Sequence, residues 1–246
     1  GCGSGGQARA GGGGRGRARA PGPGAGGAVR GARAKGLGDV RRSLGRGELD
    51  AAAKAALVAR SAEPPRGVQA TFSGDPLEHF LAKLSSPTLT ASAEALGGFA
   101  DIPKAVGDYL ARHDLPRHIA LVAAAELANL AWGDIEHPFA IDPNEAVSVT
   151  LANFAIAETG TLVFHSSPET PTLFNFLPHH HLAVLEERHL LRHLEDYWDW
   201  RRRHPSPWPR NINFITGTSG TADIEAKLVR GAHGPRALHV LLIRSP

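Results

Sequence analysis

The sequence predicts an α/β fold, in which a mainly parallel sheet is flanked by helices and preceded by an N-terminal helical arm. From Thr71 onward, short runs rich in Val, Ile and Leu alternate with segments of helical periodicity. This alternation is typical of parallel sheets whose strands are buried by helices. Hydrophobic residues form 42% of the 246 residues, which is enough to bury a core.

The first 36 residues differ from the rest in composition. They contain 15 glycines, six arginines and one lysine, and the first carboxylate is Asp39. We expect residues 1–36 to form a disordered, low-complexity tail, because they carry little apolar surface to bury. Two origins stay open: a native flexible tail, or a non-native stretch before a start near Leu37. Without the seven tail cations, 20 basic residues face 24 acidic ones, which argues against nucleic acid as a partner of the folded part.

Residues 37–70 are predicted to form a helical arm and a linker. Apolar side chains recur at helical spacing between Leu37 and Arg60. The Glu63-Pro64-Pro65 sequence ends this segment, since the residue before a proline avoids the α region. Residues 71–246 are predicted to form the main domain.

Four helices are predicted within the main domain. Asp75-Pro76 combines an N-cap with a proline at the first helical position, and Asp101-Ile102-Pro103 opens a second helix similarly. A long helix is predicted over residues 186–203, where Leu190 and Leu191 belong to its buried face. The fourth follows a glycine-rich loop and is described with the candidate sites.

Six strands are predicted from short runs of apolar and β-branched residues. They cover residues 118–122, 147–151, 161–165, 181–185, 212–216 and 238–243. Helices predicted between strands imply crossover connections, and crossover connections imply a mainly parallel sheet.

Composition also restricts cofactors and location. Cys2 is the only cysteine, so these 246 residues cannot assemble a disulfide, a thiolate zinc site or an iron–sulfur cluster. His179-His180-His181 and the pair His189 and His193 could each present two imidazoles. Neither has the H-E-x-x-H pattern or an evident third ligand, so no metal site is predicted. No apolar run approaches the roughly 20 residues that span a bilayer, and we expect a cytoplasmic protein with no membrane partner.

The first candidate site is the loop after the predicted strand at residues 212–216. Its glycines permit sharp turns, and a helix is predicted to follow at residues 221–230. Because a helix N-terminus binds anions, a small anionic ligand is one interpretation. A capped connection without a ligand is equally supported, since acidic residues already occupy the predicted first turn and no P-loop lysine follows. The candidate ligand-binding residues are Thr216, Gly217, Thr218, Ser219, Gly220, Thr221 and Asp223.

The second candidate site is a tight turn that leads into the predicted strand at residues 161–165. Glu158 could hold a cation, orient a hydroxyl or act as a nucleophile. Thr159, Gly160 and Thr161 would then contact the ligand. On chemistry alone the simpler interpretation is favoured, in which the glutamate caps a turn.

The third candidate site precedes the last predicted strand. Gly234-Pro235 is a turn-forming pair. His233 can exchange a proton near neutral pH, and Arg236 suits a carboxylate or phosphate. We interpret His233 as a candidate acid or base, and Gly234 and Arg236 as candidate ligand contacts. The alternative is a structural loop, with His233 bonded to a carbonyl.

Four segments, in this order, resemble the motifs of the lactate-utilization (LUD, or DUF162) domain family. They are A-E-T-G-T at residues 157–161, Leu177-Pro178-His179 of an L-P-x-x-H element, T-G-T-S-G-T-A-D-I-E at 216–225 and G-A-H-G-P-R at 231–236. The resemblance extends over about residues 71–243 and is closest to the lactate-utilization protein C subgroup, which lacks iron–sulfur motifs. Thr218 stands where the motif usually has proline, a change that we expect to loosen the loop without removing the site.

The resemblance implies a fold similar to that of glucosamine-6-phosphate deaminase, ribose-5-phosphate isomerase and coenzyme A transferases. Ligands of those proteins lie at the carboxyl edge of the sheet. It also implies a role in a three-protein system that oxidises L-lactate to pyruvate. Since the chain lacks cysteine ligands, it is expected to bind no cofactor and not to be a self-sufficient oxidoreductase.

Two functions are consistent with this resemblance. In the first, the chain is an accessory or ligand-binding subunit that binds a small anion, and its partners are iron–sulfur proteins that carry the clusters. In the second, it is a stand-alone transferase or isomerase acting on a CoA-linked, phosphorylated or carboxylate small molecule. Glu158 or His233 would then be the reacting group, and for Glu158 this rests on fold-level analogy.

Overall fold

A computed structural model describes residues 25–224 and 227–244, with the backbone alone at residues 25–30, 222–224 and 227–228. The chain divides into two units, residues 1–65 and 66–246. In the first unit, the described part contains helices α1 (Ala25–Ser43) and α2 (Ala51–Ala62). Helix α1 begins within the segment expected to be disordered, and residues 1–24 of that segment lie outside the described residues.

Both helices of this unit include residues from the segment whose apolar side chains recur at helical spacing. Helix α2 begins after Asp50, whose carboxylate accepts a hydrogen bond from the Ala53 amide at 2.7 Å, and Glu63 caps its end. Five apolar side chains of this unit are 40–58% exposed, and they line one shared groove: Leu37, Val40, Leu44, Leu49 and Leu57. Other residues of the first unit therefore leave these five apolar side chains largely uncovered.

The second unit alternates strands and helices. In chain order its elements are α3 (Pro76–Leu84), β1 (Ser92–Leu96), α4 (Ile102–Arg112), β2 (Ala120–Leu121), α5 (Ala125–Ala128), β3 (Val147–Leu151), β4 (Phe154–Ile156), β5 (Thr161–His165), α6 (Leu173–Phe176), β6 (His180–Glu186), β7 (Leu190–Leu191), α7 (Leu194–Arg203), β8 (Ile212–Ile215), β9 (Gly220–Ile224), β10 (Lys227–Arg230) and β11 (Ala237–Ile243). Short 3-10 turns cover Phe99–Asp101 and Glu187–His189. Among these helices, none in the described part of the chain is both long and apolar enough to cross a membrane.

Five strands form the main sheet, in the order β1-β11-β6-β3-β2, and every pair in it is parallel. Strands β3, β6 and β11 lie where the sequence predicts strands, and the prediction at residues 118–122 shortens to β2. The mainly parallel sheet flanked by helices is thus confirmed. Strand β1 is missed because its sequence, Ser-Ala-Glu-Ala-Leu, lacks the β-branched residues typical of strands.

A second sheet has the order β7-β4-β5-β8. In it β5 pairs antiparallel with both β4 and β8, and β4 pairs parallel with β7. The sequence predicts β5 and β8 but does not separate them from the main sheet. Side chains of both sheets share one apolar cluster, so the second sheet covers one face of the main sheet.

Three clusters of buried side chains define the layers. The first joins α4 to one face of the main sheet, and the second joins the other face to α3 and the second sheet. The third lies between the second sheet and α7, where Tyr197 is fully buried. Helices α3, α4 and α7 of the second unit therefore bury their apolar faces against a sheet.

Strand β6 shows how alternation assigns histidines to opposite faces of the main sheet. Leu182 and Val184 belong to the first cluster, and Ala183 and Leu185 belong to the second. By the same alternation, His180 faces α4, where its Nδ1 lies 2.9 Å from the Tyr109 hydroxyl. His181 faces the second sheet, where its ring lies 5.4 Å from that of Phe164.

The predicted helix over residues 186–203 is wrong in its first half. Leu190 and Leu191 form β7, paired with Ala155 and Ile156 of β4. The helix begins after His193, whose backbone amide donates to Asp196 Oδ2 at 2.9 Å. The leucines have helical spacing in the sequence. Leu190 and Leu191 nevertheless form a strand, because they pair with the free edge of β4.

The predicted helix over residues 221–230 is also wrong. Strands β9 and β10 replace it as an antiparallel pair in which Thr221 lies opposite Val229, and residues 225–226 lie outside the described part. The β-branched residues Thr221, Ile224 and Val229 favour a strand over a helix. An anion site on a helix N-terminus at Thr221 is therefore ruled out as the basis of the first candidate site.

Candidate functional site

The loop after β8 and the loop before β11 enclose a cavity of about 220 Å³, which we call the motif cavity. Its lining residues are Asn175, Phe176, His181, Phe214, Ile215, Thr216, Gly217, Ser219, His233, Gly234, Pro235 and Leu238. The first and third candidate sites of the sequence thus contribute to one cavity.

The motif cavity does not lie at the carboxyl edge of the main sheet. His181 and Leu238 are the second residues of β6 and β11, which places the cavity at the amino ends of these strands. Thr216 follows the carboxyl end of β8 in the second sheet. The edge implied by the resemblance to sugar-phosphate isomerases therefore differs from the edge observed here.

Gly217 brings the glycine-rich loop into direct contact with Leu89. Its φ is +84°, a conformation that side chains rarely adopt. A Cβ at Gly217 would lie 2.7 Å from both Cα and the carbonyl oxygen of Leu89. Only glycine fits this contact without movement of a neighbouring backbone.

Thr218, which departs from the family pattern, ties the loop down. Its backbone amide donates to the Leu89 carbonyl at 3.0 Å, a hydrogen bond that proline could not make. Its hydroxyl lies 2.7 Å from that of Thr90 and accepts from Arg230 Nη1 at 2.7 Å. Arg230 also donates to the Pro87 carbonyl at 3.1 Å. These hydrogen bonds hold Thr218 against Leu89, Thr90 and Arg230. The expectation that threonine loosens the loop relative to proline stays a prediction.

Ser219 joins the two loops of the cavity. Its amide donates to the Pro235 carbonyl at 2.9 Å, and its carbonyl accepts from the Gly231 amide at 3.0 Å. A Cβ at Gly234 would lie 3.1 Å from Cβ of Ser219. Ser219 and the exposed His233 therefore line the same cavity from loops that are fixed to each other.

A line of three hydroxyls connects the second candidate site to the cavity. The hydroxyl of Thr161 lies 2.6 Å from those of both Thr159 and Thr216, and Thr216 lines the cavity. Gly160, at φ +70°, packs against Leu89, the residue that Gly217 also contacts. The turn at residues 157–161 therefore contacts residues that line the cavity without lining it.

Glu158 itself is not among the described residues that line the cavity. Its Oε2 lies 3.2 Å from Nδ1 of His193, the residue at the start of α7, and both side chains are largely buried. The structure thus does not bring Glu158 and His233 together in this cavity.

Arg236, Gly220, Thr221 and Asp223 also stand apart from the lining residues. Arg236 is exposed, and its backbone amide donates to the His179 carbonyl at 2.9 Å. Burial and then the charge of Arg236 lower the pKa of His180 to about 4. Gly220 and Thr221 belong to β9, and the side chain of Asp223 lies outside the described residues.

His181 is the cavity residue that the sequence left without a role. It is fully buried, its Nε2 lies 2.7 Å from the Thr150 hydroxyl, and its Nδ1 has no partner in the described part of the chain. Burial lowers the pKa of His181 to about 3, so the ring is neutral near pH 7. In the L-P-x-x-H pattern that begins at Leu177, the final histidine is His181 rather than His179. This spacing could have identified His181 as a site residue from the sequence.

No group of three or more His, Cys, Asp and Glu side chains stands close enough to hold a metal ion in the ranges that the structure describes. His189 and His193, which a helix would have placed one turn apart, lie in a 3-10 turn and before α7 instead. The two histidines therefore do not share one face of a helix.

Comparison with known proteins relates these segments to one family. Residues 145–243, which contain all four motifs, match the model of the LUD domain. An uncharacterized protein of Neisseria meningitidis serogroup B is 36% identical over 92 residues, 37% of this chain and 40% of that protein. Lactate utilization protein C of Bacillus subtilis is 33% identical over 100 residues, 39% of this chain and 42% of that protein.

Lactate utilization protein C of an Exiguobacterium species is 29% identical over 118 residues, 46% of this chain and 51% of that protein. The alignments with these relatives thus span about half of their length or less. The crystal structure of a DUF162 family protein from Deinococcus radiodurans has a TM-score of 0.50 and 20% identity, covering 68% of this chain and 96% of that one. This likeness concerns the fold alone. Residues 145–243 of this chain are therefore similar to the LUD domain.

Proposed function

We propose that this chain is a lactate-utilization protein that binds a small carboxylate in the motif cavity. It would serve as an accessory or ligand-binding subunit beside iron–sulfur proteins that oxidise L-lactate to pyruvate. The observation that carries the proposal is the convergence of the LUD motif loops on one cavity lined by Ser219, His233 and His181. The names of two similar proteins, both called lactate utilization protein C, are the reason for proposing lactate as the substrate.

The size and lining of the cavity favour a small polar ligand. Its volume of about 220 Å³ is below the roughly 300–1,000 Å³ of typical small-molecule sites. Ser219 and Thr216 offer hydroxyl groups, and His233 offers an imidazole. A hydroxy acid of three carbons matches such a set, since it needs hydrogen-bond donors at the carboxylate and a partner for its hydroxyl.

The accessory role follows from the chemistry of lactate oxidation. Removing two electrons from a hydroxy acid requires an acceptor, usually a cofactor. Cys2 is the only thiol in the sequence, so cluster ligands would have to come from other proteins. Under this proposal the chain itself holds no cofactor and contributes ligand binding or positioning.

The alternative, a stand-alone transferase or isomerase, would require a reacting group at the cavity. For Glu158 this role needs a rearrangement, because the carboxylate is paired with His193. His233 lines the cavity and would be the reacting group that needs no such movement. Turnover of a CoA ester or sugar phosphate by the purified chain would favour this alternative.

The experiment that tests the proposal is calorimetric titration of the full chain with L-lactate and with pyruvate. We expect His233→Ala to weaken lactate binding roughly tenfold, the effect of losing one hydrogen bond to a charged group. His189→Ala is the matched control, because His189 does not line the cavity. Absence of binding, or equal binding by both variants, would contradict the proposed site. Oxidation of lactate by the purified chain with only an added electron acceptor would contradict the accessory role.

A further inference from the structure

A second cavity, of about 210 Å³, shares no lining residue with the motif cavity. We call it the Arg201 cavity, after the guanidinium in its wall. The other polar or aromatic side chains that line it are His165, Ser166, Trp200 and Ser206. It lies where the end of β5 meets the last turn of α7.

Arg201 carries a buried positive charge. Its side chain is almost fully buried at 5% exposure, and no carboxylate lies within ion-pair distance of it in the described part of the chain. Asp199, two residues earlier, pairs with Arg66 and Arg202 instead. An arginine stays charged inside a protein, and a buried charge without a counter-ion is costly. The environment of Arg201 therefore lacks the anion that such a charge requires.

Counting the donors of Arg201 identifies the one that is free. Nη1 donates to the His204 carbonyl and the Ser206 hydroxyl, both at 2.9 Å. Nη2 donates to the Ser206 carbonyl at 2.6 Å and the Pro207 carbonyl at 3.3 Å. These four bonds hold the loop after α7, but their acceptors are neutral. Nε is buried and has no acceptor among the described residues.

Two serines add hydroxyl donors to the same cavity. The hydroxyl oxygen of Ser166 accepts from the Asn211 amide at 2.8 Å, and that of Ser206 accepts from Arg201. Neither serine donates its hydroxyl hydrogen to an acceptor among the described residues, so both hydrogens remain available. Trp208 stacks on the guanidinium at 4.4 Å and helps to hold its orientation.

His165 adds no second charge to the cavity. Burial and then the charge of Arg201 lower the pKa of His165, and its Nε2 lies 2.8 Å from the Tyr197 hydroxyl. The ring is thus neutral near pH 7. The lining therefore combines one fixed cation with hydroxyl donors and contains no carboxylate.

We propose that the Arg201 cavity is a second ligand site, which takes a small oxyanion through Arg201 Nε and the Ser166 hydroxyl. The shared chemistry is a carboxylate or phosphate group, since both accept hydrogen bonds from these donors and balance the charge. The motif cavity and the Arg201 cavity would then bind their ligands independently. The second site can therefore exist whether or not the proposed role in lactate binding is correct.

The test is nuclear magnetic resonance of the full chain with labelled arginines, titrated with sodium acetate and, separately, with sodium phosphate at constant sodium chloride. The Nε–H signal of Arg201, assigned through bonds to its own backbone, reports on the free donor directly. We expect a saturable shift of this signal. The Arg244 Nε–H, which donates to Glu187 at the surface, serves as the internal control.

Ser166→Ala should weaken binding of the anion about tenfold, because it removes one hydrogen bond to a charged ligand. Ser167→Ala is the matched control, since Ser167 bonds Glu169 and does not line this cavity. A shift with acetate only, phosphate only or both supports the site and names its anion. No saturable shift with either probe, or identical affinities for the Ser166→Ala variant and the wild type, overturns it. Melting temperatures of both variants verify that they are folded.

Discussion

At the scale of single residues, Leu89 is the point on which the motif turns converge. Cβ atoms added at Gly160 and Gly217 would both come within 2.7 Å of Leu89, but they would meet different atoms. At Gly160 the nearest atoms are a methyl group at the end of the Leu89 side chain, which can rotate away, and Cβ of Lys83 at 2.9 Å. At Gly217 the nearest atoms belong to the Leu89 backbone, which cannot. Gly217 is therefore the less replaceable of the two glycines.

We expect Gly217→Ala to destabilise the protein more than Gly133→Ala. Gly133 also has a positive φ, +62°, but open space surrounds its Cβ position, so its substitution costs only the conformational strain, about 1–2 kcal/mol. Gly217→Ala adds overlap with the Leu89 backbone, roughly 1–3 kcal/mol more. Urea unfolding of both variants measures the difference. Equal losses would show that the loop moves away from Leu89 without cost.

The same scale explains which cavity residues the sequence could predict. Ser219 and His233 lie in short glycine-containing loops, whose composition indicates a turn with exposed polar groups. Asn175, which lines the cavity, and Leu89, which contacts its glycine-rich loop, carry no such signal, because each reaches the loops only through the tertiary fold. His181 sits inside an apolar strand, so its burial and its missing partner become visible only when the second sheet is in place.

At the scale of elements, long apolar strands inside the main sheet were predictable, and the short strands β4 and β7 of the second sheet were not. Val147–Leu151 and Ala237–Ile243 are continuous apolar runs inside the main sheet, and their composition identifies them. Leu190–Leu191 pairs with a single neighbour at the edge of the second sheet. Two leucines at such an edge are equally compatible with a helix, because the strand is stabilised by β4 rather than by local sequence.

The observed start of α7 leads to a testable prediction. Asp196 accepts a hydrogen bond from the His193 amide only if the helix begins there. Asp196→Ala should therefore cost about 1 kcal/mol of stability, as loss of a helix cap does. Asp196→Asn should retain most of it, because the amide oxygen can still accept. Since Asp196 also lies 3.5 Å from Arg66, Arg66→Ala is the control for the ion pair. A negligible effect of Asp196→Ala would favour a helix that starts earlier.

At the scale of the whole molecule, the two cavities share the second sheet but differ in the other elements that line them. The motif cavity takes His181 and Leu238 from the main sheet, whereas the Arg201 cavity takes residues from α7 and the loop that follows it. Layered burial also places neutral histidines inside the molecule. Burial is the main cause that lowers the pKa of His181 to about 3 and of His180 and His239 to about 4.

These histidines couple folding to pH. Their pKa values in the folded protein lie below the ordinary value of 6.5, so between these limits the unfolded chain binds more protons than the folded one. Stability is then fully present above the unfolded pKa and falls as the pH decreases towards the folded values. Each histidine contributes about 1 kcal/mol per pH unit within that window. We therefore expect the free energy of unfolding to drop between about pH 6 and pH 5, a range above the ordinary titration of carboxylates.

Replacing His181 by Gln should reduce the number of protons taken up on unfolding by about one, because glutamine does not titrate. Glutamine can still form a hydrogen bond with the Thr150 hydroxyl. The readout is the slope of unfolding free energy against pH, from urea denaturation at several pH values, and not the stability at any single pH. A lower overall stability of the variant thus does not affect the conclusion. His204→Gln, at an exposed position, is the control. If the His181→Gln slope equals that of the wild type, His181 titrates alike in the folded and unfolded chains, and its assignment as a buried neutral residue of the cavity fails.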